Sequence, residues 1–296
     1  MEKPKLLVIL GPTASGKSTL AVEAARLFNG EVISADSRQV YRELNLGTGK
    51  ITIGEMKGVL HHLLDIADPA EIFTVMDYKR LAETVIADIV QRGKLPILCG
   101  GTGLYIDTLV NNLEIPEVPP NPELRDKLSD VRTHELLKML FTADPERAAS
   151  IDKDNPRRLV RAIEITQALG KVPPLTYESP KYDPIFIGIA LPKEELEIKI
   201  RERLKSRLAA GMIDEARKLH EKGLSWDRME SLGLEYKYLA QHLQDKLSRE
   251  DMEIQLGRAI VDYSKRQMTW FRKNPRITWL TPPEVLPHLQ ALFESH

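Results

Sequence analysis

The residues best placed to do chemistry lie near the start of the chain, in Gly11-Pro12-Thr13-Ala14-Ser15-Gly16-Lys17-Ser18. Two glycines flanking four residues, then Lys and Ser, is the spacing at which backbone N–H groups wrap a phosphate. Lys17 adds a point charge to the anion, and the Ser18 hydroxyl reaches a magnesium ion. The flanks agree. Leu6 to Leu10 is a continuous apolar run, as in a strand buried on both faces, and Leu20, Ala21, Ala24, Ala25 and Leu27 follow at helical spacing. The loop therefore sits where a strand turns into a helix, against the alternative of a glycine turn without a ligand. It announces a di- or triphosphate, not the reaction that follows.

Other candidates fall at the ends of later strands. Glu31 to Ser34 reads as a second strand, and Ala35-Asp36-Ser37-Arg38-Gln39 follows it. Ligands of open α/β sheets bind outside the carboxyl ends of the strands, so Asp36 and the P-loop should share a crevice. There Asp36 is a base or metal ligand, or simply a turn-capping Asp. Leu95 to Cys99 reads as a third strand, ending in Gly100-Gly101-Thr102-Gly103, a second glycine-rich turn into a helix that would add the Thr102 hydroxyl. Leu46-Gly47-Thr48-Gly49-Lys50 alone is a weak signal. The adjacent His61 and His62 point in different directions and have no third ligand at metal spacing, which favours a structural role.

The elements needed to hold these residues recur in order. A helix over Asp77 to Val90 precedes the third strand, and Phe186 to Ala190 reads as a fourth. A long helix then begins at Pro192 and a further one runs over Ile213 to Glu221, a tight turn at Leu232 to Glu235 precedes another, and the last runs from about Asp251 to Phe271 before a strand at Ile277 to Leu280. This alternation predicts an α/β fold, a P-loop NTPase-like parallel sheet flanked by helices. Ile115 to Pro122 holds four prolines in eight residues and reads as a linker. It divides the chain into a core segment over 1–113, a small helical insertion over 114–143, with helices over Glu123 to Ser129 and Thr133 to Phe141, and a second core segment over 144–296. Asn155-Pro156 starts a helix carrying Arg157, Arg158 and Arg161. Arg157 and Arg161 are four apart and share a face, and three arginines in five residues suit a phosphodiester backbone or a solvated face.

Composition bounds the rest. At 296 residues and 42% hydrophobic, the chain suits one large domain or one with an insertion. Its net charge of -1 neither advertises nucleic-acid binding nor excludes a local basic patch. The single Cys99 excludes an internal disulfide framework and a Cys-based zinc site. No apolar run approaches the ~20 residues that span a membrane, and Met1-Glu2-Lys3-Pro4 leads straight into a strand. A cytosolic protein is expected.

Taken together, the motifs resemble those of the bacterial tRNA dimethylallyltransferases. The matching stretches are GPTASGKST at 11–19, ADSRQVY at 35–41, HHLLDIADPAEIFTV at 61–75, GGTGLYID at 100–107, NPRRLVRAIEI at 155–165 and SKRQMTWFR at 264–272. The resemblance implies transfer of a dimethylallyl group from its diphosphate to the exocyclic amine of the adenosine adjacent 3′ to the tRNA anticodon. Gly11 to Ser18 would hold the diphosphate, with Mg2+ at Ser18, directly or through water. Asp36 would be the general base. Arg203 would act on the diphosphate, and Thr102 would lie near the adenine. The tRNA anticodon stem-loop would meet Asp36, Ser37, Arg38 and Gln39. It would also meet Arg157, Arg158, Leu159, Val160 and Arg161, and Glu230, Ser231, Leu232, Gly233, Leu234 and Glu235. The enzyme would be a monomer with no membrane partner. The chain departs from the family pattern at Gly49-Lys50-Ile51, at Leu234 and at Ile260-Val261. Competing readings are a nucleotide kinase, which would consume ATP without a prenyl donor, an adenylate isopentenyltransferase, and a non-catalytic RNA-binding module.

Overall fold

The computed structural model describes residues 3–294; Met1 and Glu2, part of the stretch read as leading into a strand, lie outside them. The chain begins with β1 (Lys5–Leu10), α1 (Lys17–Leu27), β2 (Gly30–Ala35), α2 (Ile53–Met56), β3 (His61–His62), α3 (Val75–Gln91), β4 (Leu95–Gly100) and α4 (Gly103–Val110). Next come β5 (Leu113–Glu114), α5 (Pro122–Leu128), α6 (Thr133–Ala143), α7 (Pro145–Ser150), α8 (Pro156–Leu169) and β6 (Thr176–Tyr177). The last part holds β7 (Asp183–Ile189), α9 (Lys193–Ala209), α10 (Met212–Glu221), α11 (Trp226–Leu232), α12 (Leu234–Leu243), α13 (Arg249–Phe271), β8 (Thr278–Leu280) and α14 (Pro282–Glu294).

Six strands pair in the order β3-β2-β4-β1-β7-β8, all parallel as expected. Alternate residues of β1 enter opposite layers. Leu6, Val8 and Leu10 join a cluster with Tyr78, Ile106 and Leu256, while Leu7 and Ile9 pack with Leu20, Ala21, Val285 and Leu289. Burial on both faces explains the unbroken apolar run. The carboxyl ends of β1, β2 and β4 put the P-loop, Asp36 and the Gly100–Gly103 turn on one edge.

The chain divides into two compact units, one of residues up to Asn112 and from Ser179 onward, the other Leu113–Glu178. The inserted unit thus runs well past the expected end at residue 143. Its helices share one apolar cluster: Leu136 and Leu140 of α6, Ala148 of α7, and Leu159 and Ile163 of α8 are buried together. The arginine-bearing α8 therefore belongs to the insertion, not to the second core segment. β5 and β6 form a separate antiparallel pair within this unit. The helix expected to be last is followed by α14, which the prolines at 282, 283 and 287 disguised. Two of them lie in its first turn, where a missing N–H costs little, and Phe293 packs on Phe28 with ring centroids 4.7 Å apart.

At the opposite end of the sheet the carboxylate of Glu31, 1% exposed, is ringed by Arg92, by Lys94 at 2.8 Å and by His62 at 2.7 Å. The adjacent histidines are structural, as expected: His61 Nδ1 lies 3.0 Å from the Val59 carbonyl. The hydrogen bonds from Arg92 above all hold the Glu31 carboxyl far below the usual carboxylate range. A depressed folded-state pKa stabilises the fold above the unfolded value of 4.5, and this is lost as pH falls below it. Glu31→Gln is expected to cost about 2 kcal/mol at neutral pH. That is less than for a fully buried pair, because Arg92 and Lys94 are a third exposed. Urea unfolding at pH 7 and pH 3 checks this: the difference between variant and wild type should shrink at the lower pH.

Candidate active site at the carboxyl edge of the sheet

The P-loop is built to receive an anion. Gly16, in the left-handed region at φ 87°, is the N-cap of α1; it supplies no side-chain cap, and the helix's first turn carries no acidic residue. Its first N–H groups therefore face outward without an internal acceptor, at the positive end of the helix. Ala14 is held at φ 62°, a conformation that costs a non-glycine residue energy and recurs at ligand clamps. Lys17 Nζ donates to the Pro12 carbonyl at 3.1 Å. Burial lowers the Lys17 pKa, with Arg203 adding to the effect and Cys99 and Asp36 opposing it. A neighbouring anion would reverse that penalty. The loop lines a cleft of about 510 Å3, with Lys17, Ser18, Gly49, Ile51, Glu55 and Arg203 on its walls.

The Ser18 side chain lies at this cleft. Among the described residues no three His, Cys, Asp or Glu side chains cluster as a metal cage. One hydroxyl beside a phosphate site fits magnesium, which keeps several waters and takes few protein ligands. Cys99 is buried, and burial pushes its thiol up to about 11. It is a packing residue rather than a nucleophile.

Asp36 follows β2 and is half-buried. Its Oδ1 accepts from Arg38 N–H at 2.8 Å and Gln39 N–H at 3.4 Å, which fixes the carboxylate in a turn. No protein donor bonds its other oxygen among the described residues. The turn is joined to β4: the Thr102 hydroxyl accepts from Ser37 N–H at 3.0 Å, and Thr102 N–H donates to the Ala35 carbonyl at 3.1 Å. Thr102 is the N-cap of α4 yet spends its side chain on Ser37, not on its own helix. Tyr263 of α13 faces the Thr102 hydroxyl, and burial, then the Asp36 charge, raises its pKa.

Arg203, on α9, donates to the Gly49 carbonyl at 2.8 Å. Gly49 has φ 59°, and a Cβ there would come within 2.2 Å of the guanidinium. Burial first, then Arg207, lowers the Arg203 pKa. Two desolvated cations thus face one cleft. The Leu46–Gly49 loop, weak as a sequence signal, is heavily anchored. The Glu215 carboxylate accepts from the N–H groups of Asn45 (3.1 Å), Leu46 (2.7 Å) and Gly47 (2.9 Å) and from the Tyr236 hydroxyl (2.7 Å). Arg207 donates to the carbonyls of Leu46 and Gly47 and to Glu235. Sequence reasoning missed Glu215 and Arg207; only the two closely spaced glycines of the loop hinted at them.

The expected RNA-facing positions fare unevenly. Gly233 lies beside Arg38, a Cβ there being 3.8 Å from Nη2, so the 36–39 and 230–235 segments do come together. Within the latter, Leu232 is 1% exposed and Glu235 pairs with Arg207 at 3.0 Å. The Leu232 side chain therefore belongs to the core, and Glu235 holds the fold. Glu230 accepts from Gln241 and Gln244, and Ser231 bonds with Arg228. In the inserted unit Arg157 and Arg158 are exposed at the start of α8, and Val160 is half-buried. Leu159 is fully buried, because it faces the unit's core. Arg161 departs from the shared basic face: it donates to the Val118 carbonyl at 2.8 Å and to buried Glu164 at 3.1 Å.

Among the described residues no helix is long and apolar enough to cross a membrane. The IPP transferase family profile matches residues 39–274. The chain is 45% identical to tRNA dimethylallyltransferase 1 of Geotalea daltonii, over 93% of this chain and 90% of the relative, and 44% identical to tRNA dimethylallyltransferase 2 of Treponema denticola, over 94% and 96%. The crystal structure of the tRNA isopentenylpyrophosphate transferase of Bacillus halodurans aligns with a TM-score of 0.75 at 35% identity, covering 99% of this chain and 96% of that one. A eukaryotic dimethylallyltransferase acting on tRNA aligns with a TM-score of 0.76 at 26% identity, over 95% and 75%. With a P-loop and a carboxylate on one sheet edge, a half-buried arginine on the wall of the P-loop cleft, and relatives matched along nearly its whole length, the chain belongs to the IPP transferase family.

Proposed function

We propose that the chain transfers a dimethylallyl group from dimethylallyl diphosphate to the exocyclic amine of the adenosine adjacent 3′ to the anticodon, releasing diphosphate. The observation that carries this reading is the juxtaposition of an uncapped P-loop helix with the second carboxylate oxygen of Asp36 on one edge. The amine nitrogen attacks the first carbon of the donor. The carbon–oxygen bond breaks with its electron pair going to diphosphate, and the amine proton passes to Asp36. Lys17, Arg203 and the α1 N–H groups meet the charge that grows on the leaving group. Ser18 would hold magnesium, which would supply further neutralisation of the diphosphate. A tRNA acceptor supports the expectation of a cytosolic enzyme.

The test offers radiolabelled dimethylallyl diphosphate with tRNA, AMP or ATP. Label should enter tRNA alone. Label in AMP would favour the free-nucleotide reading, and ATP consumed without a prenyl donor would favour a kinase.

The tRNA would also reach the exposed start of α8. Arg157→Ala is expected to lower the slope of log affinity against log salt by about one unit. Arg161→Ala should leave that slope unchanged and instead destabilise the inserted unit, since it strips a partner from buried Glu164. Filter binding at several salt concentrations, with a thermal melt of each variant, separates the two.

A further inference from the structure

We infer that Gln267 is a positioning residue that sets the distance between the donor site and the acceptor site. Its side chain lies on α13 and is 6% exposed. The carbonyl oxygen accepts from Thr13 N–H at 2.9 Å, inside the P-loop. The amide nitrogen donates to the Gly101 carbonyl at 2.9 Å, inside the turn that follows β4. One planar amide thus spans two glycine-rich turns, one from the diphosphate motif and one leading to Thr102. The chain at Gly101 is shaped for this bridge: a Cβ there would lie 2.2 Å from Gln267 Nε2. Thr102 in turn receives Ser37 N–H, next to Asp36. Three links therefore run from the P-loop to the base: Thr13 to Gln267, Gln267 to Gly101, and Thr102 to Ser37. The same face of α13 carries Tyr263 against Thr102 and Trp270 against Gly103, with Trp270 Nε1 donating to Asp107 at 2.8 Å. The helix works as a rib indexing the two turns, and Gln267 is the one side chain among these three that touches both.

The inference rests on the prenyl-transfer reading and assigns Gln267 no contact with substrate. A ~1 Å error in the separation of reacting groups costs about 100-fold in rate, while each ligand still finds its own half-site. Gln267→Leu keeps the approximate volume and loses both hydrogen bonds. Gln267→Glu can still accept from Thr13 but has no N–H for Gly101.

The experiment measures single-turnover transfer at saturating donor and tRNA, and separately the affinities for tRNA and for inorganic pyrophosphate with magnesium. Gln267→Leu is expected to transfer about 100-fold more slowly, with each affinity within about threefold of wild type, and Gln267→Glu to fall between. A saturated rate within about fivefold of wild type would overturn the inference, as would a rate loss matched by an equal loss of pyrophosphate affinity. If Gln267→Leu does not fold, the same criteria are applied to Gln267→Glu. Failure of the reaction itself is a separate result, read from wild-type protein that transfers no label to tRNA.

Discussion

Asp36→Asn is expected to slow single-turnover prenyl transfer by about 100- to 10,000-fold, with tRNA affinity nearly unchanged. The lone pair of an aromatic amine is delocalised into its ring, so the amine attacks well only if its proton leaves as the new bond forms. The neutral amide of the variant could not take that proton. Its oxygen could still accept from Arg38 N–H, the 2.8 Å bond that forms the turn, so the local backbone should survive. The substitution therefore separates the base from the cap, the two roles between which strand-end position alone could not choose. Turnover within tenfold of wild type would remove Asp36 from proton transfer and leave it as a turn residue.

Lys17→Ala and Arg203→Ala are expected to lower the transfer rate by roughly 100- to 1,000-fold each, the size typical of removing one preorganised charge-stabilising group. Both cations are desolvated on the walls of one cleft, and burial lowers the pKa of each. Their attraction for diphosphate grows as the leaving group gains charge, so the loss should fall on the rate more than on substrate binding. Arg203→Lys should recover only part of it. The guanidinium is held in place by the Gly49 carbonyl, and an ammonium on a shorter fork-less chain cannot match both that contact and two phosphate oxygens. Comparing saturated rate with tRNA affinity is the check. Equal losses of affinity at unchanged rate would move these residues to RNA binding.

The legible parts of the site are those whose logic is local. A P-loop declares itself within eight residues, because the phosphate is held mostly by consecutive backbone N–H groups next to a strand and a helix. Asp36 and Thr102 could be placed because parallel strands deliver their carboxyl ends to one edge. Gln267 could not, since its partner Thr13 is 254 residues away and nothing near either residue anticipates the bond. Glu215 and Arg207 were hidden for the same reason, serving a loop about 160 residues earlier in the chain. Arg161 misled in the other direction. Helical spacing put it with Arg157 on a basic face, but Glu164, three residues on, is buried and draws the guanidinium inward. The insertion was cut short because its proline-rich start is visible in composition while the core shared by α6, α7 and α8 is not.

The way the chain leaves and rejoins the sheet-bearing unit has a consequence in polymer terms. The unit ends at Asn112 and resumes at Ser179, and the Asn112 side-chain amide donates to the Ser179 carbonyl at 3.3 Å. To the sheet, everything between is a closed ring tied at its neck. The entropy of closing such a ring grows only with the logarithm of its length, about 0.6 kcal/mol for each doubling. Residues could be added to the inserted unit, or trimmed from it, with almost no change in the free energy that holds the strands together. On that scaling, a longer or shorter insertion closed at residues 112 and 179 is expected to leave the sheet-bearing unit's stability nearly unchanged.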